Sequence, residues 1–346
     1  MTMTIEYSQS IPEGRPAKRR MVWLDIARVL ATLLIVLFHV PSSAFFRGAS
    51  PHDPAWCLLH FYGSAGAAIA FFFAISAYLT PVRPHLRKVA SKVVALVIPY
   101  IIWNLICAPG LRDELSLGRI FGLGSPDALC ADYPLWFVRD LIFLLLLLPL
   151  YERFSALVAA ASALLILIPQ ARLMPEFAAS IPLPRAESWL FFSAGLLARR
   201  LPSETWRRLI LASAPLWLGL SLVSLFMAAP HPELFAFINI FSLLATGILL
   251  EKAIKGQPQA NEALRLSANA TFLCYAVHAP ALLVLGLAAK RLCPALASQS
   301  WPALALPLLI FAGSVAAFRL MQTRAPRLLP LLAHARAPKP ATPSGD

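Results

Sequence analysis

Apolar residues fill the stretch from Trp23 to Val40, WLDIARVLATLLIVLFHV, and only Asp25, Arg28 and His39 interrupt it with strongly polar side chains. Its 18 residues predict a helix rising about 27 Å, close to a bilayer hydrocarbon thickness of roughly 30 Å. Arg28 and His39 are eleven positions apart, so at about 100° per residue they share nearly one azimuth, some 16 Å apart along the axis. Asp25 and Thr32 flank that line. A charge at mid-membrane is expensive, so the stripe is expected to face the inside of a helical bundle.

Comparable apolar runs recur along the chain and predict an all-α, polytopic integral membrane bundle. Ten transmembrane helices are expected near 22–41, 58–80, 92–108, 134–151, 155–170, 187–198, 208–228, 234–250, 268–289 and 302–320. The same pattern sets a cytoplasmic tail at 1–21, a transmembrane domain at 22–322 and a flexible cytoplasmic tail, rich in Pro, Ala and basic residues, at 323–346. No small-residue cleavage site follows the basic start, so the first helix is expected to be retained. Within the second span, Gly63, Gly66, Ala67, Ala70 and Ala74 are spaced for close helix packing.

Two later spans carry polar groups. The fourth opens YPLWFVRDLIF: Trp136 suits the membrane interface, and Arg139 and Asp140 put charge just inside it. Neighbours on a helix do not face each other, so Arg139 and Asp140 are expected to find separate partners. In the ninth, SANATFLCYAVHAPALLVLGLAAK, the residues Ser267, Thr271 and His278 fall within about 40° of azimuth, with Tyr275 adjoining. That is a second polar stripe, and Pro280 just after it loosens the helix locally.

Composition agrees with a membrane protein: 59% of residues are apolar, 14% charged and 30 are proline, which excludes a soluble multidomain chain. The formal net charge of +13 would suit nucleic acid, so the placement of the cations decides. With ten spans and the N-terminus inside, 21 Lys and Arg fall on the cytoplasmic side and 8 outside, with Arg28 within the first span. This is the positive-inside pattern, with both termini cytoplasmic; nucleic acid is not needed as a partner, and the lipid bilayer is. Arg83, Arg87, Lys88 and Lys92 crowd the cytoplasmic mouth of the third span, where a phosphorylated substrate or anionic lipid could meet them. Five cysteines form no C-x-x-C pair and no Cys/His cluster of zinc spacing, so no metal is expected. The pairing of the cysteines and a homo-oligomeric state are left open.

His39 carries the chemistry best, because imidazole titrates near neutral pH and can remove a proton from an alcohol as it attacks a thioester. No G-x-S-x-G nucleophile motif is present, so direct transfer fits better than a covalent serine intermediate. In order along the chain stand LDIARVLATLLIVLFH, with its Arg-x10-His spacing, FFFAISAYL at Phe71 to Leu79, a basic segment ending in IPY at Ile98 to Tyr100, LWFVRDL at Leu135 to Leu141, and SANATFLCYAVH. This ordered set resembles the membrane acyltransferase-3 family, which includes bacterial O-acetyltransferases of surface polysaccharides and the fucose 4-O-acetylase-like group.

The resemblance implies an inner-membrane enzyme that takes an acyl group, commonly acetyl, from cytoplasmic acyl-CoA to a hydroxyl of a glycan acceptor. It makes His39 essential, with Arg28 in support, and implies acyl-CoA as a substrate, with no bound cofactor. Asp25, Trp136, Arg139, Asp140, Tyr275 and His278 are the candidates for acceptor contact, and Arg83, Arg87, Lys88 and Lys92 for donor contact. The chain departs from the family at Ser76-Ala77, where Ser-Gly is common, and at Lys88 and Lys92, where arginines are common. A transporter of a small solute or lipid-linked sugar would also use intramembrane Arg and His, but no internal repeat supports it. An assembly subunit of a polysaccharide-export system would leave the stripes unexplained.

Overall fold

The computed structural model describes residues 20–42, 64–81, 85–107, 133–167, 184–224, 232–297 and 302–335. Among these, ten longer helices follow one another: α1 (Val22–Ser42), α2 (Ser64–Tyr78), α3 (Leu86–Cys107), α4 (Trp136–Tyr151), α5 (Ser155–Leu167), α6 (Ala186–Ala198), α7 (Ser203–Ser224), α8 (Pro232–Ile254), α9 (Pro258–Leu292) and α10 (Pro302–Arg324). No strand occurs among the described residues. The chain is thus an all-α bundle with the apolar helices of a multi-pass membrane protein, and each of the ten expected spans coincides with a helix. By length and composition, six stretches among the described residues qualify as membrane-crossing, and the apolar helices within 67–78 and 186–198 are shorter.

Where the expected spans and the helices differ, the helices run past the apolar segment. The third was expected from residue 92, but α3 begins at Leu86, so Arg87 and Lys88 also sit on the helix. The ninth was expected from 268, but α9 begins at Pro258 and has 35 residues. Hydropathy marks where lipid ends. PQANEALRLS and LRKVASK are polar yet made largely of good helix formers, so the backbone continues.

The apolar run Trp136–Ile166 has 31 residues and is still a hairpin. Asp140, near the start of α4, bonds Ser188 at the start of α6, and Glu152, just beyond α4, pairs with Arg199 just beyond α6. Helices α4 and α6 therefore run parallel. Since α5 packs along α6, the chain reverses through the 3-10 turn Glu152–Phe154.

At the centre is α1, which packs against α2, α8, α9 and α10. Its apolar faces are buried, with Ala27, Ala31 and Val36 at 0% exposure. Two glycines permit close approach. A Cβ at Gly247 of α8 would lie 2.5 Å from the Trp23 carbonyl oxygen of α1, and one at Gly195 of α6 would overlap the Ala74 carbonyl of α2. The small-residue spacing of α2 thus serves packing at Ala74. Gly195→Leu is expected to force α2 and α6 apart at a cost of about 1–3 kcal/mol, seen as a lower thermal midpoint in detergent. An unchanged midpoint would reject that contact.

The segment expected to open a flexible tail is built into the bundle. Pro326–Leu328 and Leu329–Leu332 form short helical turns, the first against α10 and the second against α3, with Leu329 and Ala333 buried, and the Trp103 indole N–H donates to the Leu332 carbonyl at 2.9 Å. Four leucines among residues 328–332 give this stretch apolar surface to bury, which its proline and basic content masked.

Candidate active site

The two polar stripes meet. Helices α1 and α9 pack side by side; Arg28 of α1 donates to the Thr271 hydroxyl of α9 at 3.3 Å, and farther along both helices the His39 and His278 rings lie 5.1 Å apart between centroids. Residue numbers increase together on both sides of the contact, so the helices are parallel. The result is a polar seam with a guanidinium at one end and two imidazoles at the other.

At the Arg28 end, Asp25 is shared: its carboxylate accepts from Arg20 at 2.5 Å and from Arg28 at only 3.5 Å. Thr32, buried beside them, donates to the Arg28 carbonyl at 2.9 Å and so turns its hydroxyl along α1. Arg28 is left with two long contacts and a side chain 32% exposed.

At the other end His278 is fully buried. Its Nδ1 lies 2.6 Å from the Tyr275 carbonyl, which can only accept, so Nδ1 carries the proton and Nε2 holds a lone pair. That Nε2 has no hydrogen-bond partner among the described residues. Leaving such an acceptor buried costs about 1–3 kcal/mol, which marks the place for a donor group. His39 is half-buried beside it. Tyr275 closes the seam toward α4 by donating to the Pro134 carbonyl.

A cavity of about 290 Å³ adjoins the seam and is lined by Arg28, Ser76, Lys92, Thr271, Tyr275 and His334 together with Phe72, Phe137 and Phe272. A larger cavity, about 390 Å³, lies between α1, α2, α6, α7 and α8 and is lined by apolar groups such as Trp23, Phe71, Phe191 and Phe241. Of these two, the smaller brings together the cations Arg28 and Lys92 with His334 beside the seam, so it is the candidate substrate cavity.

The remaining expected site residues separate. Among the described members of the basic group, Lys92 alone lines the cavity, and it donates to the Thr80 hydroxyl at 3.0 Å. Arg87 and Lys88 are exposed, and Arg83 lies outside the described residues. Trp136, half-buried, has the Arg185 guanidinium 4.0 Å over its ring.

The expectation that Arg139 and Asp140 find separate partners is wrong. Arg139 donates to one Asp140 oxygen from Nε at 3.0 Å and from Nη2 at 2.8 Å. The other oxygen accepts from the Arg185 backbone N–H at 3.1 Å and the Ser188 hydroxyl at 2.8 Å. Neighbouring positions point apart only at Cβ, and the long arginine side chain swings back far enough to reach. Asp140, at 0% exposure, spends both oxygens inside the protein and caps the first turn of α6, where a carboxylate suits the helix dipole.

One cavity residue escaped the sequence reading. His334 belongs to the C-terminal segment, and only the leucines before it hinted at burial there. Against known proteins, the model of a family described as an acyltransferase domain matches residues 21–320. No curated protein and no solved structure gives a match.

Proposed function

From the premise that this chain belongs to the acyltransferase-3 family, we propose an O-acyltransferase moving acetyl from cytoplasmic acyl-CoA to a hydroxyl of a cell-surface or lipid-linked glycan. The membership and the apolar helices make the chain a multi-pass membrane acyltransferase. Donor, acceptor and base are our reading, and the single observation that supports it is the polar seam from Arg28 and Thr271 to His39 and His278.

In this reading the acceptor hydroxyl comes to His39, which takes its proton as the oxygen attacks the thioester carbonyl. The tetrahedral intermediate collapses, the C–S bond breaks, and the thiolate leaves with the proton that His39 returns. The products are the ester and free CoA. The lone pair on His278 Nε2 accepts from the protonated partner beside it and holds that charge in the seam. Arg28 and Lys92 face the polar part of the donor, whose slender pantetheine arm runs along the seam.

Orientation rests on the split of 21 cations against 8, which favours both termini in the cytoplasm of a bacterial cell and the Arg28 end facing it. Sidedness is the test. In sealed vesicles of known orientation, labelled acetyl-CoA is expected to support transfer to the glycan only from the cytoplasmic face. Full transfer with donor confined to the outer face would overturn the arrangement.

A further inference from the structure

The donor cavity has one wall that the family match does not include. The match ends at residue 320, whereas residues 325–335 fold back onto α3 and bring His334 to the lining. His334 is held there deliberately. Its φ of 48° is in the left-handed region, which histidine tolerates better than most side chains but which still has to be compensated. The ring supplies the compensation: Nδ1 lies 2.7 Å from the Ala95 carbonyl of α3, and the ring centroid is 5.5 Å from that of Phe272 of α9. A carbonyl only accepts, so Nδ1 carries the proton and Nε2 is the nitrogen available to a ligand.

The charge around it has one sign. Arg28 and Lys92 line the same cavity, the hydroxyls of Ser76 and Thr271 lie among them, and no carboxylate is among the described lining residues. Asp25, the nearest acid on α1, is the closer partner of Arg20. The rest of the lining, including Phe72, Phe137 and Phe272, is apolar. Such a cavity fits an anionic group carried on a slender apolar or weakly polar chain.

We propose that Arg28, Lys92 and His334 form a phosphate-binding site, with His334 supplied by the C-terminal segment as a further binding residue for the donor. The identification of the phosphate as the donor's rests on the acyl-CoA reading above. His334 is open to solvent on one side, yet desolvation by the surrounding protein first and then the Arg28 and Lys92 charges hold its imidazole below its ordinary value, while its bond to Ala95 opposes them. A phosphate at Nε2 favours the protonated ring, so binding takes up a proton and tightens as pH falls from 8 toward 6. The other titratable groups lining the site are Arg28 from α1, Lys92 from α3 and Tyr275 from α9.

The full chain in zwitterionic nanodiscs gives the test, with CoA, phosphate-free pantetheine and competing inorganic phosphate as probes. His334→Asn is the variant of choice, because asparagine also tolerates the left-handed region but cannot take up the proton. CoA binding is expected to weaken roughly tenfold or more in the variant, and pantetheine binding to stay as it was. The gap between wild type and variant is expected to widen as pH falls. Equal losses for CoA and pantetheine would overturn the proposal and leave His334 a packing residue. An effect seen only after anionic lipid is added would overturn it too, by giving the phosphate to a headgroup. If wild type binds inorganic phosphate through His334 but no CoA, the anion site stands and the donor reading falls. The pH dependence of CoA binding in wild type needs no variant, and a flat profile overturns the proposal even if His334→Asn fails to fold.

Discussion

His39→Gln is expected to lower acyl transfer by about 10²–10⁴-fold while leaving CoA binding close to that of wild type. Glutamine keeps the size and a hydrogen-bonding end but has no nitrogen basic enough to take the hydroxyl proton. The substitution lies some 16 Å along α1 from Arg28, so the cavity with Arg28, Lys92 and His334 is left intact. Labelled transfer in proteoliposomes and equilibrium CoA binding, measured on one preparation, separate the two effects. Transfer within a few fold of wild type would remove His39 as the base. Loss of binding along with transfer would show that the imidazole end shapes the donor cavity instead.

The second large effect is on stability. Asp140→Ala is expected to destabilise the bundle by about 3–5 kcal/mol, the range for removing one member of a buried ion pair. Four hydrogen bonds end on this carboxylate, two from Arg139 and two from the start of α6, and the site is closed to solvent. Alanine leaves the guanidinium without its acid and the α6 turn without its cap. A large fall in the thermal midpoint in detergent is the expected result. A variant of wild-type midpoint but no transfer would instead return Asp140 to the acceptor site.

The sequence was most legible where azimuth alone decides. Arithmetic at 100° per residue put Arg28 and His39 on one face of α1 and Thr271 and His278 on one face of α9, and both faces line the seam. That these faces look at each other could not be read, because azimuth fixes a direction and not a neighbour. The Arg139 and Asp140 expectation failed for a related reason: backbone geometry constrains Cβ, while a guanidinium several bonds farther out follows whatever carboxylate is close. His334 was hidden by averaging. Its surroundings are rich in proline and alanine, and the few leucines that dock the segment carry little weight in such a window.

Helix α6 has only 13 residues, a rise of about 20 Å, which falls well short of a hydrocarbon layer of roughly 30 Å. Both of its ends are fastened to α4, through Asp140 at Arg185 and Ser188 and through Glu152 at Arg199, and α5 lies along its side. A segment this short gains too little by partitioning alone to leave the translocation channel for lipid unaided. Its partners are synthesised first, so α4 and α5 are already in place when it emerges. Integration of α6 is therefore expected to rely on docking against α4 and α5, which precede it in the chain, and a lesion at Asp140 is expected to lower the amount of inserted protein as well as its stability.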